Sequence, residues 1–308
     1  MQASDKIYIA GHNGMVGSAI LRNLKSNGFD NFALRSSNEL DLRNQQAVND
    51  FFESEKPTFV FLAAAKVGGI LANNTYRADF IYDNIVMEAN IIHAAWKNKV
   101  KKMMFLGSSC IYPKNASQPL KEEYLLSGEL EPTNEPYAIA KIAGIKLCDA
   151  YRAQYGCNFI SVMPSNLYGP NDNYDLDNSH VLPALLSKFH TALINNEPTV
   201  NVWGSGLPMR EFLHVDDMAE ACVFLMEHYN GEGCINVGTG TDLTIKELAL
   251  MIKKITGYSG EIVFDFGKPD GTIRKLLDVS KVHSLGWRHQ IGLREGIARV
   301  YENFIQNN

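Results

Sequence analysis

Apolar residues fall along this chain in short, evenly spaced bursts. Lys6–Ala10 (KIYIA) is the first, followed by a glycine-rich turn and a stretch to about Asn27 with helical spacing of apolar positions. Further bursts occupy Phe32–Arg35, Thr58–Ala63, Lys102–Leu106 and Asn158–Met163. Runs this short, bounded by turn residues, read as buried strands. Between them, Ala78–Trp96 and Tyr137–Tyr155 carry long helical periodicity. Strands alternating with helices predict an α/β fold built on a doubly wound parallel sheet.

After Pro164 the texture changes. Asn166–Ser179 is polar and rich in Asn, Asp, Gly and Pro, and Gly204–Pro208 and Tyr258–Gly271 are similar, so all three are expected as loops. The last third reads as a smaller, loop-rich lobe, and the chain is expected to rejoin the main sheet near Cys234–Val237 (CINV). The expected division gives residues 1–165 to a dinucleotide-binding domain, revisited at about 211–238, and residues 166–210 and 239–308 to a substrate-binding lobe.

Composition narrows the function classes. At 308 residues, 45% hydrophobic and 20% charged, the chain has the make-up of a globular protein with one large domain or two intimately shared ones. A net charge of −5 weighs against a nucleic-acid or anionic-membrane surface. The longest apolar run, around Thr58–Ala72, is broken by Lys66 and is shorter than the ~20 residues a spanning helix needs. The basic run Lys97–Lys102 (KNKVKK) is expected as a solvated loop between helix and strand. Five scattered cysteines without CxxC spacing predict neither disulfides nor a metal site, and fit a reducing, cytoplasmic setting.

Two constellations carry chemistry. Gly11, Gly14 and Gly17 form GxxGxxG between a strand and a helix, the form of a Rossmann dinucleotide turn, in which the helix N-terminus faces a pyrophosphate. The second strand ends in Arg35-Ser36-Ser37, where an NAD-binding fold offers an acid to the ribose; a cation and hydroxyls suit a 2′-phosphate, and so NADP. Tyr137 and Lys141, at i and i+4, share one helix face. An ammonium there is expected to lower the phenol's pKa and make Tyr137 a proton donor or acceptor. Ser108, just past the fourth strand, is placed to hydrogen-bond a substrate carbonyl.

Gly11, Ser108, Tyr137 and Lys141, in this order, resemble the extended short-chain dehydrogenase/reductase family. So do Asn166-x-Tyr168-Gly169-Pro170 and Arg210–Asp217 (REFLHVDD). Within it, Ala64–Ile70 (AAKVGGI), Gly107–Pro113 (GSSCIYP), Asn134–Lys141 (NEPYAIAK), Asn166–Asn173 (NLYGPNDN), Ser179–Leu185 (SHVLPAL) and Trp203–Gly206 (WGSG) are similar to the branch acting on a GDP-linked 4-keto sugar. The likeness is tight from residue 11 to about 240 and looser beyond. It implies NADPH-dependent inversion of C3″ and C5″ of GDP-4-keto-6-deoxy-D-mannose and reduction of C4″, giving GDP-L-fucose, in a homodimer paired through the two long helices.

The resemblance also implies roles. Cys110 and His180 become the acid–base pair of the inversions, Ser108 and Tyr137 hold the enolate oxygen, Tyr137 protonates the C4″ oxygen, and Lys141 tunes Tyr137. The cofactor would meet His12, Asn13, Met15 and Val16 with the three glycines, then Arg35. Deeper in, it would meet Leu106, Gly107, Lys141, Pro164, Ser165, Asn166, Leu167 and His180. Lys188, Trp203, Arg210 and Asp270 would hold the GDP moiety. Asn13 and Ser37 stand where bacterial members often carry arginines, so Arg35 alone would read the 2′-phosphate. Without the motifs, Cys110 would be packing; Cys148 and Cys157 keep that reading, and His214 is expected to hydrogen-bond between lobes. The competing readings are a 4-epimerase or keto-sugar reductase of the same fold, with no use for a Cys110/His180 pair, and a catalytically idle NADP sensor.

Overall fold

Strands that are apolar on both faces have to be covered on both sides, which favours a parallel sheet between helical layers. In the computed structural model, which describes residues 1–175, 179–268 and 270–307, six such strands form one sheet. They are β1 (Ile7–Ala10), β2 (Phe32–Ala33), β3 (Phe59–Leu62), β4 (Lys102–Leu106), β5 (Phe159–Pro164) and β6 (Cys234–Val237). Their order is β6-β5-β4-β3-β1-β2, every neighbour parallel. The doubly wound sheet expected from the pattern is present, and Cys234–Val237 returns to its edge.

Helices α1 (Met15–Ser26), α2 (Gln45–Glu55), α3 (Arg77–Lys97) and α4 (Glu135–Tyr155) lie within the first half of the chain. α3 and α4 pack along each other; α1 packs against α5 (Val215–His228). α4 begins two residues before the expected Tyr137, with Pro136 in its first turn, and ends on Gly156 in the left-handed conformation. Tyr137 therefore sits in the first helical turn. A second, smaller core gathers Leu185, Leu186, Phe189, Leu248, Ile252 and Ile297 from the chain after Pro164. Leu277, Val282 and Trp287 pack into the main core instead.

Three expectations need correction. Lys102 is not in a solvated loop: it opens β4, is buried, and its ammonium donates to the carbonyls of Leu225, Met226 and Tyr229 at the end of α5. Carbonyls left over at a helix C-terminus accept a cation readily. Asn166–Tyr168 is a strand paired with Phe212–His214, and Glu261–Asp265 is a strand paired with Thr199–Trp203. Both are short, and the polar Asn166, Glu261 and Asp265 among them give the composition of loops. Residues 176–178 of the expected loop lie outside the described residues.

Long-range ties in this region fall to carboxylates rather than to His214. Glu211 is fully buried and accepts backbone N–H groups of Thr239, Gly240 and Leu277. Asp217 accepts those of Gln290 and Ile291. His214 bonds locally, its Nδ1 accepting the N–H of Asp216 to cap α5. No helix among the described residues is long and apolar enough to cross a membrane.

Candidate active site

From β1 the chain runs to β2 on one side, and β3 lies on the other, so a crevice opens past the carboxyl ends of β1 and β3. Gly11 turns there with φ +84, a conformation only glycine adopts freely. A Cβ on Gly11 would lie 2.8 Å from the Ala64 backbone, and one on Gly17 would lie 2.1 Å from the Gly11 carbonyl oxygen. Gly14 caps the N-terminus of α1 without a side chain, leaving the first N–H groups of that helix, beginning at Met15 and Val16, facing the crevice. His12 Nδ1 and Ser165 Oγ are buried here without partners. This cradle and its orphaned polar atoms fit a dinucleotide.

At the far end of that crevice Arg35 pairs with Glu55 at 2.7 Å, and Lys6 shares the same carboxylate. Glu39 accepts hydrogen bonds from the backbone and hydroxyl of Ser36. An acid thus stands two residues beyond Ser37, beside the expected 2′-phosphate position. Pro164 ends β5, Ser165 donates its N–H to Val237, Asn166 is spent on the carbonyl of Glu211, and Leu167 is half-buried.

Ser108, Cys110, Tyr137 and Lys141, expected to be catalytic, lie past the end of β4 and in the first turns of α4. Ser108 follows Leu106 and Gly107 and caps a short turn over Ser109–Ile111, its Oγ accepting the Cys110 N–H at 3.4 Å. Cys110 is 6% exposed. The Lys141 ammonium donates to the Leu106 carbonyl at 3.0 Å and lies 5.8 Å from the Tyr137 ring centroid. The expected lowering of the Tyr137 phenol is reversed: burial pushes it well above its ordinary value, and Cys110 and Glu88 push the same way. Lys141 is drawn to Glu88, at 2.8 Å.

Cys110 and His180 also differ from free side chains. Burial raises the Cys110 thiol, and the Lys275 ammonium offsets part of that rise. His180 keeps accessible surface, yet neighbouring protein crowds its ring and lowers its pKa, with Lys275 adding repulsion. Lys275 therefore faces both groups. It pairs in register with Arg210 across a small sheet, a placement that spacing along the chain does not reveal.

The chain after Pro164 carries the expected GDP residues. Trp203 is 49% exposed, with the ammoniums of Lys188 and Lys268 each 5.1 Å from its ring centroid. Lys188 donates to the Asn201 carbonyl, and Arg210 to those of Met209 and Thr272. Asp270 is occupied within the protein, accepting the N–H and hydroxyl of Ser205 beneath the Gly204 turn. Lys268 and Lys275, unmarked by any motif, complete a group of cations suited to a diphosphate.

The model of the NAD dependent epimerase/dehydratase family matches residues 7–238. The chain is 59% identical to the GDP-L-fucose synthase of Escherichia coli, with 99% of this chain and 98% of that protein covered. It is 58% identical to the putative GDP-L-fucose synthase 2 of Arabidopsis thaliana, covering 100% and 94%. Among solved structures, the GDP-mannoheptose C4 reductase of Campylobacter jejuni with NADP bound has a TM-score of 0.92 at 46% identity, covering 99% of each chain. The GDP-L-fucose synthetase of Naegleria fowleri bound to NADP also has a TM-score of 0.92, at 30% identity, covering 100% of this chain and 96% of that one.

Proposed function

This chain belongs to the NAD dependent epimerase/dehydratase family, and on that premise we propose that it converts GDP-4-keto-6-deoxy-D-mannose to GDP-L-fucose with NADPH. The observation that carries the reading is the buried Cys110 beside Ser108, with Lys275 facing both Cys110 and His180. A reductase alone has no need of a second acid–base pair.

C3″ and C5″ flank the ketone, so enolate resonance acidifies their protons. Each inversion needs one group to take a proton from one face of the ring and another to return it on the opposite face. A thiol and a neutral imidazole hold one labile proton between them and serve both needs. Ser108 and Tyr137 hydrogen-bond the enolate oxygen, and Tyr137 then protonates it at C4″. NADPH supplies the hydride when bound. The Gly11–Gly17 turn holds its pyrophosphate and Lys141 its nicotinamide ribose. Lys188, Arg210 and Lys268 bind the diphosphate and Trp203 covers the base or sugar.

We further propose that residues 1–165 act as the cofactor domain, and 166–210 with 239–308 as the substrate lobe. We propose a homodimer paired through α3 and α4. Tyr82, Ile139 and Tyr155 on those helices are exposed, and Trp96 stacks against Tyr155. The five free thiols suit the cytoplasm. Incubation with GDP-4-keto-6-deoxy-D-mannose and NADPH, followed by mass and configurational analysis, tests the central reading. A 6-deoxy product without inversion would reduce the protein to a keto-sugar reductase, and turnover of UDP-sugars alone would make it a 4-epimerase.

A further inference from the structure

Lys141 has a partner that the acid–base chemistry above does not use. Glu88, on α3, is 1% exposed, and its Oε1 lies 2.8 Å from the Lys141 ammonium, itself 2% exposed. The contact is a close ion pair in which neither carboxylate oxygen finds hydrogen-bonding geometry. The helix that carries Lys141 makes room for the acid: Gly144, one turn further on, faces it, and a Cβ there would come within 2.9 Å of Glu88 Oε2 and 2.4 Å of the Phe105 ring. A glycine inside a helix is disfavoured relative to alanine, so the vacant space carries a cost.

Resting on the reading above, we propose that Glu88 is a positioning residue for the reduction, holding Lys141 as a fixed cation between the Leu106 carbonyl and Tyr137. Lysine has three donors. The Leu106 carbonyl takes one by a hydrogen bond, Glu88 holds the ammonium as an ion pair, and donors remain for the site. A buried ammonium without a countercharge gives up its proton readily, and a neutral lysine neither steadies the developing charge nor orders Tyr137. The groups that feel Glu88 are few: Lys141 and Tyr137 on the catalytic helix, and Cys148 one turn beyond Gly144. Cys110, which acts on Tyr137 from the end of β4, is the remaining titratable neighbour. Burial pushes the Glu88 carboxyl up, and the Lys141 ammonium pulls it back.

Glu88→Gln keeps the shape and removes the charge. Two consequences follow, and they share a sign. Lys141 loses its countercharge, so its charged form disappears at lower pH. Tyr137 loses a repelling negative charge, so its phenol ionises at lower pH. Reduction needs both protons in place, so the alkaline limb of kcat against pH moves to lower pH. We expect a move of about one unit, equivalent to tenfold lower activity at a fixed pH on that limb, with NADPH affinity changed no more than a few-fold.

The experiment measures NADPH oxidation by full-length wild type and Glu88→Gln across the alkaline range, with fluorescence titration of NADPH beside it. Wild-type protein that does not turn over the GDP-keto sugar would refute the functional reading itself. Wild-type turnover with an unmoved limb in Glu88→Gln would overturn the role of Glu88 alone. Should Glu88→Gln not fold, the double variant with Lys141→Met decides: a folded double variant shows that the orphaned cation was at fault and supports the pairing, and an unfolded one assigns Glu88 to packing.

Discussion

Gly17→Ala tests the cofactor cradle most directly. The added methyl would sit 2.1 Å from the Gly11 carbonyl oxygen, 2.6 Å from its carbon and 2.9 Å from the His12 Cα. All three are backbone atoms, so no side-chain rotation relieves the clash. The first contact is more than an ångström shorter than ordinary van der Waals distance, and α1 has to back away from the turn by a comparable amount. It is not free to do so, because Ala19, Ile20 and Leu24 are buried and Arg22 pairs with Asp216 on α5. Overpacking of this kind costs about 1–3 kcal/mol of stability, and misplacing bound groups by about 1 Å costs on the order of 10²-fold in rate. Fluorescence titration should show NADPH affinity reduced by at least an order of magnitude, with thermal unfolding a few degrees lower. Gly292→Ala is the control, since nothing lies within 4 Å of its added carbon. Gly17→Ala protein that binds NADPH as tightly as wild type would refute the placement of the pyrophosphate on this turn.

Three further outcomes are expected. Tyr137→Phe should leave the fold intact and slow NADPH oxidation roughly 10²–10⁴-fold; near-normal turnover would remove Tyr137 as the proton donor. Arg35→Ala should shrink the ratio of kcat/KM for NADPH over NADH only modestly, because Arg35 is already committed to Glu55 and half exposed; an unchanged ratio would show that another cation reads the 2′-phosphate. Cys110→Ser should lose exchange of the C3″ and C5″ protons with deuterated water while still reducing the ketone slowly, giving a GDP-6-deoxy sugar that is not inverted; GDP-L-fucose as sole product at wild-type rate would return Cys110 to packing.

What was legible along the chain was what depends on short-range pattern. Ile7–Ala10 and Phe59–Leu62 are buried on both faces, so apolarity alone marks them as strands. The i, i+4 spacing of Tyr137 and Lys141 fixes a shared helix face in the same way. What failed depends on partners far away in sequence. Lys102 looks like the end of a solvated basic run, but its three acceptors lie more than 120 residues downstream. The phenol of Tyr137 is expected to fall because Lys141 is visible in the sequence and the burial of the ring, with Cys110 and Glu88 around it, is not. His214 sits in a motif whose neighbours, Glu211 and Asp217, make the long-range contacts, a division of labour that only the backbone donors reveal. Glu261–Asp265 alternates too weakly to mark itself as a strand until Thr199–Trp203 lies beside it.

The protonation pattern of the site follows from one cause and suits one kind of reaction. Burial drives Cys110, Tyr137 and His180 toward their neutral forms, the thiol and phenol upward and the imidazole downward. A neutral cluster is a poor binder of anions by itself, but lysines stand beside it: Lys141 on α4, paired with Glu88, and Lys275, whose charge acts on both Cys110 and His180 although burial lowers its own pKa. Negative charge reaches the ketone oxygen at two moments in this chemistry, when a ring proton leaves and enolate character develops, and when hydride adds at C4″. In a site of low dielectric, fixed cations and neutral donors favour that charge more than the uncharged ketone that precedes it. The same placement works against a resting thiolate, whose charge would have to be met before substrate arrives. Burial therefore withholds ionisation until the substrate brings an oxygen able to carry it.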